Sequence, residues 1–177
     1  MHSVHASSLP EQALLAKYSG AQGYTDCYCA DVGRSVSHAQ YVEAFYTGAV
    51  FKLERFLLGW LASRPSTDAG AKALATGALD TFSAWRVEER TADQLLMCDF
   101  SGRTRSWLMV APRGNGTRLY FGSAVVATRS RSGRPHMGVG FKALLGFHRL
   151  YSRILLGAAR SRLARTADVR REMHNGE

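Results

Sequence analysis

Four runs decide the fold: Phe82-Ser-Ala-Trp-Arg-Val-Glu-Glu-Arg90, Gln94-Leu-Leu-Met-Cys-Asp-Phe100, Thr104-Arg-Ser-Trp-Leu-Met-Val-Ala111 and Arg118-Leu-Tyr-Phe-Gly-Ser-Ala-Val-Val-Ala-Thr128. Each is rich in aromatic, β-branched or alternating apolar residues and is bounded by turn formers, the pattern of a strand. Ala92-Asp93, Gly102-Arg103 and Asn115-Gly116 fit two-residue hairpin loops, so the runs read as an antiparallel meander. Loop length sets register, and register decides which side chains share a face. Loops of this length place Val87 opposite Cys98, Cys98 opposite Trp107, and Trp107 opposite Ala124. One face then collects Trp85, Val87, Leu96, Cys98, Phe100, Trp107, Met109, Tyr120, Gly122 and Ala124, and it is the expected core face. The other carries Arg86, Glu88, Met97, Asp99, Thr104, Ser106, Leu108, Phe121 and Val125, with Arg86 across from Asp99 as a cross-strand ion pair.

Upstream of the meander, Glu11–Lys17 suits a short helix and the first ten residues suit a loose tail. Tyr24–Val32 alternates as a strand that Gly33 ends. Ser37 and Gln40 have capping-box spacing ahead of Val42, Phe45 and Tyr46 at helical intervals. Val50, Leu53, Leu57, Trp60 and Leu61 form the stripe of a second helix, which Pro65 stops, and Thr67 or Asp68 caps a weaker one through Ala78. Downstream, Arg129–Gly138 reads as a loop, and a long helix runs from about Gly140 to Arg165. Its apolar residues, from Phe141 to Leu156, cover most of the circumference and leave a narrow stripe for Lys142, Arg149, Arg153 and Arg160. One sheet cannot cover so wide an arc, which calls for a second helix, another subunit or lipid.

The 177 residues suffice for one domain with its own core, and 46% hydrophobic against 21% charged residues excludes a disordered chain. The expected division is a tail and short helix over 1–20, a single domain over 21–166, and a polar tail over 167–177. The longest apolar run, Phe56–Ala62, is far short of the roughly 20 residues of a membrane span. The N-terminus lacks the basic start and apolar stretch of a signal peptide, and three cysteines cannot close into a disulfide set. A cytoplasmic location is therefore expected. Of the net charge of +9, residues 129–177 hold almost all, with 11 Lys/Arg against 3 Asp/Glu. Such a field suits an anionic partner, although solubility alone accounts for it equally well. The basic segment lacks the aromatic interleaving of a nucleic-acid platform, so a membrane surface or a protein partner fits it better than nucleic acid.

The element order, with Trp85-Arg86-Val87, Arg105-Ser-Trp-Leu108 and Leu119-Tyr-Phe-Gly-Ser-Ala124, resembles the helix-grip superfamily of Bet v 1, START and polyketide-cyclase proteins (SRPBCC). The pattern is similar to a bacterial branch of that group over about residues 20–165. The resemblance implies an α+β fold in which a curved antiparallel sheet wraps a long C-terminal helix, with two helices after the first strand and a cavity between sheet and helix. Five strands are legible. Trp107 opposite Ala124, and Met109 opposite Gly122, set bulk against its absence and leave room for a guest.

No phosphate loop, nucleophile elbow, zinc-protease motif or paired-carboxylate constellation appears, so no cofactor is expected and no reaction is named. Cys27-Tyr-Cys29 puts two thiols on one side of a strand, half of a zinc set that Cys98, His38 or His136 would have to complete, and the expectation is no metal. The candidate ligand-binding residues are Trp85, Cys98, Phe100, Arg105, Trp107, Met109, Tyr120, His148 and Tyr151. His148 and Tyr151 on the helix can orient a guest or move a proton, and Arg105 can meet a carboxylate or phosphate at the cavity mouth. The function expected is binding of a lipid-like or aromatic molecule in a pocket of roughly 300 Å³ or more. Two alternatives remain open: a cyclase-, aromatase- or hydrolase-like enzyme using the same cavity, and a basic module for anionic membranes or a protein partner. A homodimer is compatible with all three.

Overall fold

The computed structural model describes residues 4–20, 23–48, 67–126 and 150–165. Its strands are β1 (His5–Ala6), β2 (Gly23–Val32), β3 (Thr81–Phe82), β4 (Trp85–Arg90), β5 (Gln94–Asp99), β6 (Thr104–Arg113) and β7 (Gly116–Val126). They form one antiparallel sheet in the order β1-β2-β7-β6-β5-β4-β3. The helices are α1 (His38–Tyr46), α2 (Asp68–Thr76) and α3, residues 150–165, with a 3₁₀ turn at Leu14–Tyr18. The fold is α+β and helix-grip-like, the sheet lying across the C-terminal helix. The two strands that the sequence does not announce, β1 and β3, are two residues each.

Local chemistry accounts for the elements. Ser37 caps α1 through a full capping box, its hydroxyl accepting from Gln40 N–H while the Gln40 side chain accepts from Ser37 N–H. Thr67 caps α2 by accepting from Gly70 N–H, and Gly77 ends it in the left-handed conformation. The expected helix from Val50 to Leu61, the Arg129–Gly138 loop and the first half of the long helix lie outside the described residues.

The meander forms, but two of its three loops differ from those expected, and a bulge shifts the register of the third pairing. The Ala92-Asp93 loop stands, closed by Thr91 N–H donating to Gln94 O at 3.0 Å. The next loop has four residues, Phe100–Arg103, because Asp99 Oδ1 accepts from both Arg103 N–H and Thr104 N–H and so holds a wider turn. Cys98 therefore faces Arg105, and Leu96 faces Trp107. The last loop is Gly114-Asn115, one residue earlier than expected. Gly114, with φ +56°, supplies the positive first position of a type II′ turn. Trp107 thus meets Gly122 rather than Ala124, and Met109 meets Tyr120. A bulge between Val87 and Glu89 then shifts β4 by one residue, so Val87 lies opposite Met97 and Trp85 opposite Asp99. Arg86 faces Cys98, and the expected Arg86–Asp99 pair does not form.

The two hairpin shifts are of two residues each and leave the expected grouping of β5, β6 and β7 side chains intact, and what differs is which face the helices cover. α1, α2 and α3 close over Leu95, Met97, Leu108, Leu119 and Phe121, the side expected to be the mixed one. The bulge brings Trp85 and Val87 onto it. Leu96, Trp107, Met109 and Ala124 are buried on the opposite face beneath Ala13 and Leu15 of the N-terminal segment. That segment is no loose tail: His5 pairs with Cys29, Ser7 N–H donates to Cys27 O, and Leu15 is wholly buried. Gly122 makes its approach possible, since a Cβ there would lie 2.8 Å from Leu15 Cδ2 and 3.0 Å from Trp107 Cε3.

The basic stripe of α3 is used largely to dock it. Arg160 Nε donates to Asp31 O, Arg162 Nη1 to Thr47 O, and Arg153 lies over the Tyr28 ring at 5.5 Å. Arg34 returns the contact by donating to Leu163 O. Leu150 and Ile154 remain exposed on the outer side of the helix. Among the described residues, no helix is long and apolar enough to cross a membrane.

Candidate functional site

Strand alternation sends Thr104, Ser106 and Leu108 of β6, and Phe121 and Ser123 of β7, toward the helices. Register puts Ser106 directly opposite Ser123 and Leu108 opposite Phe121. Two small hydroxyl residues thus interrupt an otherwise apolar floor, and both are buried, at 8% and 2% exposure. Above them the last turn of α1 brings Phe45 and Tyr46, β4 brings Trp85, and α3 brings Tyr151 and Leu155. The bulky walls cannot fill the space over two serines, and a cavity of about 160 Å³ remains. Phe45 and Phe121 pack with centroids 5.0 Å apart, which fixes one wall.

The polar end of this cavity has a second layer. Ser123 Oγ–H donates to Asp26 Oδ1 at 2.6 Å, and Ser123 N–H donates to the same oxygen at 3.2 Å. Tyr24 O–H donates to Asp26 Oδ2 at 3.2 Å. The carboxylate is therefore held behind the serine by several donors, as a half-buried charge requires.

The expected site residues are divided by the sheet. Trp85 and Tyr151 line the cavity, as does the strand position of Arg105. The Arg105 guanidinium goes to the other face, where Nε donates to Glu88 Oε2 at 2.7 Å and to Tyr18 Oη at 3.0 Å. Cys98, Trp107, Met109 and Tyr120 also belong to that opposite face. Phe100 is 67% exposed in the β5–β6 turn, and His148 lies outside the described residues. Arg105 and Tyr120 therefore do not converge with Tyr151 on one point. Ser106, Ser123, Phe45, Tyr46 and Asp26 are not among the expected site residues. The signal that points to them is Leu95-Leu-Met-Cys98, an unbroken apolar run typical of a strand covered on both faces.

The back face carries its own polar network. Burial alone would raise Glu88, but hydrogen bonds from Tyr18 and Lys17 and the Arg105 charge outweigh it and hold the carboxyl below the usual range. Burial likewise opposes the charge on Arg105, and the Tyr18 and Glu88 contacts more than offset it. Gln94 completes the attachment: its Oε1 accepts from Trp107 Nε1–H and Leu14 N–H, each at 2.9 Å, and its Nε2 donates to Gln12 O.

Cys27 and Cys29 share that same face, and Cys29 Sγ lies 3.1 Å from His5 Nε2. The pair supplies two donors, and no cluster of three or more metal-ligating side chains occurs among the described residues. A second depression of about 580 Å³ lies at the β2 edge, between Tyr24–Tyr28 and Arg153.

No family model matches the chain, and no curated protein matches it. Among solved structures it is similar to CalU16 from Micromonospora echinospora, with a TM-score of 0.31 and 10% identity over 94% of each chain. A likeness at that level carries no argument about function.

Proposed function

We propose that the chain binds a small hydrophobic molecule between the sheet and the C-terminal helix. The observation that carries this reading is the Ser106–Ser123 pair, which leaves space where large residues on every side would otherwise meet. The cavity is about half the expected size, which favours a compact guest over a long acyl chain.

Toluene titration tests the proposal, with the melting temperature and Trp85 fluorescence as readouts. A ligand that binds only the folded state raises the melting temperature by mass action, by about 2.7 kcal/mol of stability at a hundredfold excess over Kd. The expected result is such a rise, lost in Leu155→Trp, which fills the space. No rise with toluene or with 4-methylphenol up to their solubility limits would overturn the reading.

A further inference from the structure

Resting on the proposed cavity reading, we infer that the guest is an uncharged, apolar molecule whose carbonyl oxygen accepts from the hydroxyl of Ser106. Ser106 lines the cavity and is 8% exposed. Its hydroxyl has no hydrogen-bond partner among the described residues, whereas the Ser123 hydroxyl opposite it is engaged with Asp26. Buried polar groups of folded proteins are nearly always partnered, so this one calls for an explanation. The hydroxyl faces the cavity, and its partner must come from there. Water entering from the open side can serve it, and a guest that displaces the water must replace its hydrogen bond.

The lining is graded along β6. Thr104, Trp85 and Tyr151 are half-buried, while Ser106 and Phe121 are buried. The cavity is thus partly open, with its mouth at the end of the sheet where β4 and β6 begin. Ser106 lies one strand repeat further in than Thr104, on the same face. A guest entering there lays its apolar body against Trp85 and Tyr151 and meets Ser106 with its leading end.

The hydroxyl sets the chemistry of that end. It has one proton to place, and protein interiors tolerate an under-used lone pair more readily than an orphaned donor. The guest must therefore accept. A ketone or ester oxygen does so, a hydrocarbon offers nothing, and an ammonium only donates. Charge is disfavoured as well. Arg105 is the one charged residue lining the cavity among the described residues, and its Nε donates to Glu88 and Tyr18 on the opposite face. A carboxylate would give up its water there with no counter-charge.

Three probes of one shape test the assignment by calorimetry on the full chain. They are acetophenone, α-methylstyrene, in which a methylene replaces the carbonyl oxygen, and benzoate, in which a carboxylate replaces the acetyl group. Ser106→Ala should weaken acetophenone about tenfold, the worth of one net hydrogen bond, and leave α-methylstyrene unchanged. Benzoate should not bind. The melting temperature of Ser106→Ala should be no lower than that of the parent, because the hydroxyl leaves no partner behind. Acetophenone affinity that survives Ser106→Ala would overturn the inference and leave the cavity reading standing. Benzoate binding as tightly as acetophenone would overturn it too. So would a melting temperature several degrees lower in Ser106→Ala, or loss of α-methylstyrene in that variant, since either marks the hydroxyl as part of the fold. Failure of both acetophenone and α-methylstyrene to bind the parent would remove the cavity reading and the inference together.

Discussion

The Gln94 carboxamide ties together segments that are far apart in sequence, since Leu14 and Gln12 meet it beneath the Trp107 indole. Gln94→Ala strands that buried N–H and releases the N-terminal segment, and it should cost about 2–4 kcal/mol in urea unfolding. His38 opens α1 and is 8% exposed, and burial lowers its pKa to about 4 against a backbone contact at Leu108 that works the other way. The unfolded chain takes up that proton at about 6.5. The His38 contribution is therefore complete above pH 6.5, is lost as pH falls toward 4, and changes no further below that. The loss should be about 3 kcal/mol across the window, and the His38→Gln variant should lack that slope in denaturation at stepped pH. Cys27 is pushed up to about 12, by burial first and then by Cys29 and Asp26. Iodoacetamide at pH 8 should label it only after unfolding, as peptide mass spectrometry would report.

Register decides more than element type does in this chain. Gly122 is the point where β7, Trp107 and Leu15 come closest, so Gly122→Val should overpack the back face and cost about 1–3 kcal/mol, read as a lower melting temperature. Most of the elements are legible from their residues: the Ser37–Gln40 box, the Thr67 cap and the alternation from Tyr24 to Val32 all correspond to structure. What the residues do not announce is the bulge at Glu88. Two adjacent glutamates give no sign of which one leaves the ladder, and the choice is made by Lys17, Tyr18 and Arg105 arriving from other elements. One such shift moved Trp85 to the other face. The candidate site was legible only at Trp85 and Tyr151, because Ser106 falls on the face not expected to be the core and Ser123 carries no signal of its own until both faces are known to be covered.

At the scale of the molecule, the sheet is covered twice, by helices on one side and by residues 13–18 on the other. Removing residues 1–19 should therefore bare Leu96, Trp107 and Met109 and raise dye binding to exposed apolar surface, with no such change for Ser123→Ala. Charge reversal at Arg160 should weaken α3 docking as well as any attraction to anionic surfaces, since its Nε holds Asp31 O. The N-terminal cover also has a consequence for biosynthesis. Leu14 leaves the ribosome 80 residues ahead of Gln94, its anchor. At roughly 5–20 residues per second the wait is about 4–16 s. Through that interval an oily stretch has nowhere to settle, so a nascent-chain chaperone would find a handle there, and the back of the sheet is finished only when early and late translation products meet.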